Sequence, residues 1–250
     1  EKGDFEADVV DVQKPVVDLI VAHLKVKRGV LKVGDKIIQI VNDEVRALTA
    51  RNHTATHLLQ WALRQVLGAH VKQAGSLVTP ELLRFDFSHF QAVAPDELQK
   101  VEDLINQKIW SGDNVKKQIM SKDAAIGAGA IAMFGEKYGD FVRVITFDKD
   151  FSVELCGGTH VSSTGQIGLF KITSEGSISS GVRRVEAITS KAAESYLREQ
   201  ETLLKELQEL LKNPRDLKKA VESLISERNE LKKEIESLHL EKASGVKNQL

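Results

Sequence analysis

The chain has 250 residues, of which 42% are hydrophobic and 28% charged, a composition ordinary for a soluble globular protein with a sizeable core. Its formal net charge of −1 gives no bulk attraction to nucleic acid, so any RNA contact must come from local basic patches. The single cysteine excludes an intrachain disulfide and favours a reducing, cytoplasmic location. No apolar run is long enough to span a membrane, so we expect no membrane partner. Because the chain opens at Glu1 and continues directly into a strand-like stretch, we expect it to be a segment of a longer polypeptide.

Residues 1–48 are predicted to form a small β-barrel. Three β-rich stretches, FEADVVDV, LIVAHLKV and DKIIQIV, are separated by turn residues at Gly29 and at Gly34-Asp35. The stretch GVLKVGDKI, with turn residues between apolar strands, suits such a barrel. A three-stranded sheet of another kind agrees with the pattern equally well.

Residues 49–195 mix helices and strands without regular βαβ alternation, which predicts an α+β domain. A helix is expected where apolar residues recur every three to four positions from Ala55 to Val66, with Gly68 as its stop. Two more helices are expected over Pro95–Trp110 and Ala124–Phe134. Strands are expected in LRFDFSHF, FVRVITF, FSVEL, GLFKIT and RRVEAIT.

Residues 196–250 carry a coiled-coil pattern, in which apolar residues repeat in steps of three and four among Lys and Glu. Asn213 is a suitable N-cap and Pro214 a suitable first helical residue, so a second helix is expected to start there. We favour a helical hairpin, and the alternative is a long kinked helix that forms a homodimer.

Two pairs of potential metal ligands stand out. His53 and His57 are four residues apart on the first predicted helix, where both imidazoles can point at one ion. Cys156 and His160 are also four apart, around Gly157 and Gly158, which let the backbone fold tightly. Together they form a Cys/His₃ set, the ligand chemistry of a zinc site, if the two pairs meet in space.

Other histidines and acidic groups give weaker signals. The four remaining histidines show no comparable pairing and are expected to be structural or exposed: His23, His70, His89 and His239. A metalloprotease of the HExxH type is excluded because Thr54 stands where the Glu base would be. Glu154 is the acidic residue nearest the predicted ligands, and we expect it to support a ligand or to face solvent rather than to act as the catalytic base.

Several motifs between Arg51 and Thr189 resemble, in order, the editing domain of the alanyl-tRNA synthetase family and its free-standing relatives: RNHTATHLL, QAGSLV, LRFDFSH, FGEKYGD, ELCGGTHVSSTGQIGLFKI and SGVRRVEA. Residues 1–48 resemble the small barrel that precedes editing in that family, and residues 196–250 resemble the helical region that follows it. No motif of the ATP-using ligase half is visible, so the resemblance implies the part of the synthetase that follows the ligase domain.

The resemblance implies an aminoacyl-tRNA deacylase that hydrolyses serine and glycine esters of tRNA(Ala), because binding contacts alone discriminate poorly among such small side chains. The family's zinc ligands correspond to His53, His57, Cys156 and His160. Its amino-acid-recognition position corresponds to Gln73, whose amide can donate and accept hydrogen bonds. Gln73 and Cys156 are therefore expected to take part in catalysis.

For tRNA contact, three basic groups are candidates: Lys25-Lys27-Arg28, Lys116-Lys117 and Arg183-Arg184. Of these we expect Arg183 and Arg184 to bind tRNA. Two alternatives to a deacylase remain open at this point. One is a tRNA-binding or oligomerisation module with a purely structural zinc site, and the other is a complete protein that edits in trans.

Overall fold

A computed structural model describes residues 5–16, 19–130, 139–148 and 152–247. The chain divides into two compact units, Glu1–Asp43 and Glu44–Leu250. Together they contain helices and antiparallel sheets, in agreement with the predicted α+β class.

The first unit is built on a two-stranded hairpin. Strands β1 (Glu6–Val16) and β2 (Leu19–Arg28) pair antiparallel, and they contain the predicted β-rich stretches FEADVVDV and LIVAHLKV. The predicted barrel is wrong for the described residues, since two strands cannot close a sheet on itself. The predicted strand DKIIQIV is also not formed. Its apolar residues are exposed, for example Ile38 at 79%, and no described strand pairs with it to take up its backbone hydrogen bonds.

The second unit contains a long first helix and a four-stranded antiparallel sheet. Helix α1 (Asp43–Leu67) begins earlier than predicted and ends at Gly68, whose φ of 112° suits glycine. The sheet has the order β3-β4-β9-β8 and contains β3 (Gln73–Val78), β4 (Leu83–Ser88), β8 (Phe170–Ser179) and β9 (Val182–Thr189). The LRFDFSHF, GLFKIT and RRVEAIT strands are confirmed, whereas β3 was not predicted.

A smaller sheet and two further helices complete the centre of this unit. Helix α2 (Pro95–Ser111) matches its prediction, and at its start the Glu97 carboxylate accepts from the backbone N–H of Ala94 at 2.9 Å. Strands β5 (Lys116–Ser121), β6 (Phe141–Asp148) and β7 (Ser152–Leu155) form a three-stranded sheet in that order. Helix α3 spans only Lys122–Gly127, shorter than predicted. Residues 131–138, which hold most of the FGEKYGD motif and the end of the predicted third helix, lie outside the described residues.

The main core packs one face of α1 against the four-stranded sheet and α2. Leu58, Leu59 and Leu63 of α1 are fully buried in one cluster with side chains such as Phe85 of β4 and Ile105 of α2. Burying each such leucine contributes about 2 kcal/mol. The register of α1 is therefore fixed by apolar packing, which also fixes where its polar residues lie.

Two helices end the chain, and their junction differs from the prediction. Helix α4 covers Ser190–Leu210 and helix α5 covers Leu217–Lys247. Asn213 does not cap α5, because it lies in the left-handed region at φ 53°, just after α4. Asp216 is the cap instead, since its Oδ1 accepts from the backbone N–H of Lys219 at 3.0 Å.

The apolar stripe of α5 is uncovered in the part of the chain that the structure describes. Side chains from Val221 to Leu238 are all exposed, so a packed helical hairpin is not observed there. Among the described helices, none is long and apolar enough to cross a membrane.

Candidate metal centre

The structure brings the two predicted ligand pairs together. His53 and His57 lie one turn apart on α1, beside its buried face, and Cys156 and His160 lie on the loop that follows β7. One nitrogen or sulfur atom from each of these four residues lies within 4.8 Å of all the others. These four residues, all within the described part of the chain, are therefore close enough together to hold one metal ion.

The spacing and chemistry of the four residues fit a metal ion. Sγ of Cys156 lies 3.4 Å from Nε2 of His53 and 3.3 Å from Nε2 of His160. Ligands at about 2.0 Å (nitrogen) and 2.3 Å (sulfur) from a tetrahedral ion lie roughly 3.5 Å apart. Nε2 of His57 is buried with no hydrogen-bond partner, a costly state unless an ion or a proton acceptor occupies its direction.

Two of the histidines are oriented by their other ring nitrogen. Nδ1 of His57 is hydrogen-bonded to the buried carboxylate of Glu154. Glu154 therefore supports a ligand, one of the two predicted roles, and does not face solvent. Nδ1 of His160 lies 3.3 Å from Oγ1 of Thr54.

The hydrogen bonds of Thr54 fix the tautomer of His160. The Thr54 hydroxyl donates its one proton to the backbone oxygen of Ala50 at 2.8 Å, so it must accept from His160. It also accepts from the backbone N–H of Val161 at 3.2 Å. The proton of His160 is thus on Nδ1, which leaves the lone pair of Nε2 directed at the site.

Two basic side chains hold the ligand loop by its backbone. Nε of Arg143, on β6, donates to the carbonyl of Cys156 at 2.9 Å, and its Nη2 donates to the carbonyl of Gly158. Lys117, on β5, donates to the carbonyl of His160 at 2.8 Å. The loop has no regular secondary structure between Cys156 and His160, so these contacts define its path.

Gly158 makes room for His53. A Cβ atom built on Gly158 would lie 1.9 Å from Cε1 and 2.4 Å from Nδ1 of the His53 ring. A Cβ on Gly157 would meet nothing within 4 Å. Only the second glycine of the pair is therefore required by close packing, a distinction that the sequence did not make.

The electrostatics of the site favour a thiolate. Burial opposes ionisation of Cys156, but its interactions with the nearby imidazoles of His160, His53 and His57 outweigh burial and lower its pKa to about 3. Burial also disfavours the imidazolium of His57, yet the Glu154 carboxylate and the nearby Cys156 sulfur raise its pKa to about 10. Burial, with the charges of His57 and His53, lowers the pKa of His160 to about 4. The direction of the Cys156 shift therefore favours the thiolate, which is the form that binds metal.

The hydrogen bonds of the other predicted site residues, Gln73, Arg183 and Arg184, are made with residues outside the group of four potential ligands. Gln73 begins β3, its Nε2 donates to Oγ of Ser76 at 3.2 Å, and its Oε1 is buried with no hydrogen-bond partner. Arg183 forms a two-pronged ion pair with Glu175, and Arg184 forms one with Asp86. Both guanidinium groups are therefore engaged by carboxylates across the sheet.

The remaining predicted basic group lies on the hairpin of the first unit. Lys27 pairs with Asp8 at 2.7 Å, and Arg28 lies 3.5 Å from Glu6, while Lys25 is exposed. Two of its three cations are thus in surface ion pairs, which contribute little to stability.

Sequence reasoning missed two residues that organise the site. Thr54 was read only as the residue that replaces a protease base, and Arg143 was not singled out. A polar side chain one position after a helical ligand could have indicated Thr54, because α1 is buried at that face. Arg143 reaches the loop through the pairing of β6 with β7, and a long-range register of this kind leaves no local signal.

One part of the second unit is similar to a known domain family. Residues 142–186 match the family described as "Threonyl and Alanyl tRNA synthetase second additional domain". This range includes the loop with Cys156 and His160, and it starts well after His53 and His57.

Longer similarities extend over most of the chain. The chain is 53% identical over 208 residues to the alanine–tRNA ligase of Carboxydothermus hydrogenoformans. The aligned region covers 83% of this chain and 24% of that relative. The alanine–tRNA ligase of Pseudothermotoga lettingae is 54% identical over 203 residues, or 81% of this chain and 24% of the relative. That of Listeria monocytogenes is 49% identical over 215 residues, or 84% and 24%. The resemblance to the alanyl-tRNA synthetase family is confirmed, and the chain spans about a quarter of the length of these relatives.

Proposed function

We propose that this chain is the proofreading part of an alanyl-tRNA synthetase, which hydrolyses Ser-tRNA(Ala) and Gly-tRNA(Ala) at the aminoacyl ester. The observation that carries the proposal is the convergence of His53, His57, Cys156 and His160 in a segment about half identical to alanine–tRNA ligases. The predicted cytoplasmic location is part of this proposal.

The reaction is an ester hydrolysis. The oxygen of water forms a bond to the carbonyl carbon, the bond from that carbon to the ribose oxygen breaks, and a proton passes to the ribose oxygen. Glu154 is buried against His57, so its role is to orient that imidazole rather than to take the proton from water. Thr54 and Arg143 likewise orient ligands and loop.

We propose Zn²⁺ as the ion held by the four residues. One thiolate with three imidazoles is a donor set that suits zinc, whereas magnesium and calcium prefer oxygen ligands. When bound, zinc would supply Lewis acidity at the ester. The low pKa of Cys156 supports the assignment because the thiolate is the form that binds metal.

Gln73 is proposed to recognise the aminoacyl group. A buried amide oxygen without a partner is costly, and an ammonium or hydroxyl group of the substrate would satisfy it. Arg183 and Arg184 stay predicted tRNA contacts, although contact with phosphate would have to compete with Glu175 and Asp86.

Deacylation and metal content should be measured on the same samples. The wild type is expected to hydrolyse Ser-tRNA(Ala) and Gly-tRNA(Ala) and to contain about one zinc per chain. Cys156→Ala should lose both hydrolysis and zinc, while Lys100→Ala, a change at an exposed position on α2, should lose neither. A zinc-free wild type with full activity would exclude a catalytic role for the metal.

A second candidate function is a tRNA-binding and oligomerisation module with a structural zinc. It is favoured by the number of ligands, because four protein groups fill a tetrahedral ion and leave no position for water. A metal-loaded chain that binds tRNA(Ala) without turnover would support this candidate over the deacylase.

Homodimerisation through α5 is proposed for either function. The heptad places Val221 and Ile235, with Arg228 between them, at one core position and Leu224, Leu231 and Leu238 at the other. Branched residues at the first position with leucine at the second favour a parallel two-stranded coiled coil. In that arrangement Glu227 of one copy lies opposite Lys232 of the other, which is attractive.

The dimer has a direct test. Sedimentation of the wild type should show a dimer, and Leu231→Glu should shift it to the monomer without changing the metal content. A wild type that is monomeric at all concentrations would exclude the interface.

A further inference from the structure

We propose that His53 is the exchangeable ligand of the metal centre, so that the coordination position which admits substrate or water opens on the His53 side. The inference rests on the proposed metal site and goes beyond it, because it distinguishes one of the four ligands from the other three. The two glycines between Cys156 and His160 would by themselves suggest that any mobility lies in that loop instead.

Three of the four ligands are held by further contacts. His57 is bonded through Nδ1 to Glu154 and is only 2% exposed. His160 is bonded through Nδ1 to Thr54, and its carbonyl accepts from Lys117. Such partners fix the ring orientation of a metal-binding histidine and typically change metal affinity about 10-fold to 100-fold.

Cys156 is held from both sides. Its carbonyl accepts from Arg143, its backbone N–H donates to the carbonyl of Arg143 at 3.0 Å, and its sulfur accepts from the N–H of Gly158 at 3.4 Å. The glycine-hinged loop is therefore the braced part of the site.

His53 has no such support among the described residues. Its one hydrogen-bond contact is from Nε2 to the sulfur of Cys156, which is itself a ligand. No carboxylate, hydroxyl or carbonyl group there accepts from its Nδ1. It is the half-buried member of the set, whereas Cys156 and His160 are each 7% exposed.

Apart from its contact with Cys156, the ring of His53 is held, within the described part of the chain, by packing and not by hydrogen bonds. Its centroid lies 4.3 Å from that of His160 and 5.2 Å from that of His57. The ring lies against the bare Cα of Gly158, a neighbour that offers van der Waals contact but no hydrogen bond. Rotation of its side chain breaks no hydrogen bond within the fold other than the one to Cys156. A four-ligand site then becomes a three-ligand site of the kind that catalytic zinc proteins have, with the open position toward solvent.

The test compares His53→Ala with His57→Ala, both single-imidazole losses from α1. Zinc affinity, measured by competition with a chelator, is expected to fall about 100-fold in His53→Ala, which should still bind one ion per chain. In His57→Ala no stoichiometric binding is expected. Equal loss in the two variants, or the larger loss in His53→Ala, would overturn the inference.

Cobalt substitution gives a readout that does not depend on activity. The visible absorption of bound Co²⁺ reports its coordination, and azide is the probe for an open position. In Co²⁺-loaded His53→Ala, azide should shift the spectrum at concentrations at least 10-fold lower than in the wild type. If the variant holds Co²⁺ but azide leaves its spectrum unchanged, the position is not open and the inference is wrong.

Two controls separate this inference from other failures. Circular dichroism of the metal-free variants checks that each is folded, and His57→Gln replaces His57→Ala if the cavity left by the ring prevents folding. A wild type that binds neither Zn²⁺ nor Co²⁺ would refute the metal site itself. A wild type that binds metal, with equal losses in both variants, would refute only the assignment of His53.

Discussion

The two halves of the metal centre are organised in different ways. The α1 half takes its geometry from a helix whose apolar face, with Leu58, Leu59 and Leu63, is buried in the main core. The loop half, from Cys156 to His160, has no regular structure and is held by side chains of other elements. A helix sets ligand spacing by backbone geometry, whereas the path of a loop without regular structure depends on the contacts that other elements make to it.

This difference reverses the expectation about which half is mobile. The helix fixes the backbone of His53 but not its ring, and the described residues offer no group that holds the ring. The loop lacks secondary structure, yet Arg143, Lys117 and Thr54 fix its carbonyl groups and the ring of His160. Rigidity of the backbone and rigidity of the ligand atom are therefore separate properties in this site.

Among changes that keep all four potential ligands, the largest effect on the site is expected for Gly158→Ala. The added methyl group would overlap the His53 ring at 1.9 Å, so the ring must leave its place. Since the ring is the flexible partner, the fold should remain stable while zinc affinity falls about 100-fold, as for removal of the imidazole. Chelator competition and thermal unfolding of the metal-free protein measure the two quantities.

Gly157→Ala is the matched control for that change. Its methyl group would meet nothing within 4 Å, so its zinc affinity should stay within about twofold of the wild type. Equal losses in the two variants would mean that loop flexibility, rather than room for His53, explains the glycines.

A smaller effect is expected for Arg143→Ala. The change removes donors from the carbonyl groups of Cys156 and Gly158, so the loop should populate other conformations and zinc affinity should fall about 10-fold to 100-fold. Arg143→Lys should recover part of the loss, because an ammonium group cannot reproduce the two-pronged geometry of a guanidinium. Isothermal titration with Zn²⁺ gives both values.

The control for Arg143 is Lys116→Ala, which removes the same charge from the neighbouring strand. Lys116 is exposed, so its loss should leave zinc affinity unchanged. If Lys116→Ala weakens binding as much as Arg143→Ala does, general electrostatics rather than bracing of the loop controls the affinity.

The sequence predicted those parts of the site that depend on local spacing. The His53–His57 pair follows from helical periodicity, and the Cys156–His160 pair follows from a glycine hinge. The sequence could not show whether the two pairs meet in space, because that depends on how α1 packs relative to strands β6 and β7. The roles of Thr54 and Arg143 arise from contacts more than ten residues apart in sequence, which periodicity does not encode.

The fold shows the same division between local and long-range information. Helix α2 was predicted because its apolar spacing and its start at Pro95 are local features. The DKIIQIV strand was predicted wrongly, since alternation and β-branched residues cannot supply the neighbouring strand that a ladder needs. The cap of α5 was placed at Asn213 rather than Asp216 because both residue types cap helices, and the left-handed turn after α4 decided between them.

The smallest effect on the site, and a distinct effect on stability, is expected for Asp86→Asn. Asp86 on β4 pairs with Arg184 on β9 through two hydrogen bonds of 2.7 and 2.8 Å. Hydrogen bonding by Arg184 outweighs burial and lowers the pKa of Asp86. A carboxyl group whose pKa is lower in the folded state stabilises the fold above its unfolded pKa, and this stabilisation is lost as the pH falls through the folded value.

Asp86→Asn should therefore lower the free energy of unfolding at pH 7 by about 2 kcal/mol and reduce its decline toward pH 3. Urea unfolding across that pH range measures both, and Asp96→Asn is the control, since the Asp96–Lys100 pair is exposed and should contribute almost nothing. Zinc affinity at pH 7 should not change, because Asp86 has no contact with the four ligands or with the groups that hold them. A large loss of zinc affinity in Asp86→Asn would show that the ligand loop depends on the four-stranded sheet. It would contradict the view that core packing positions the helix while Arg143 and Lys117 independently hold the loop.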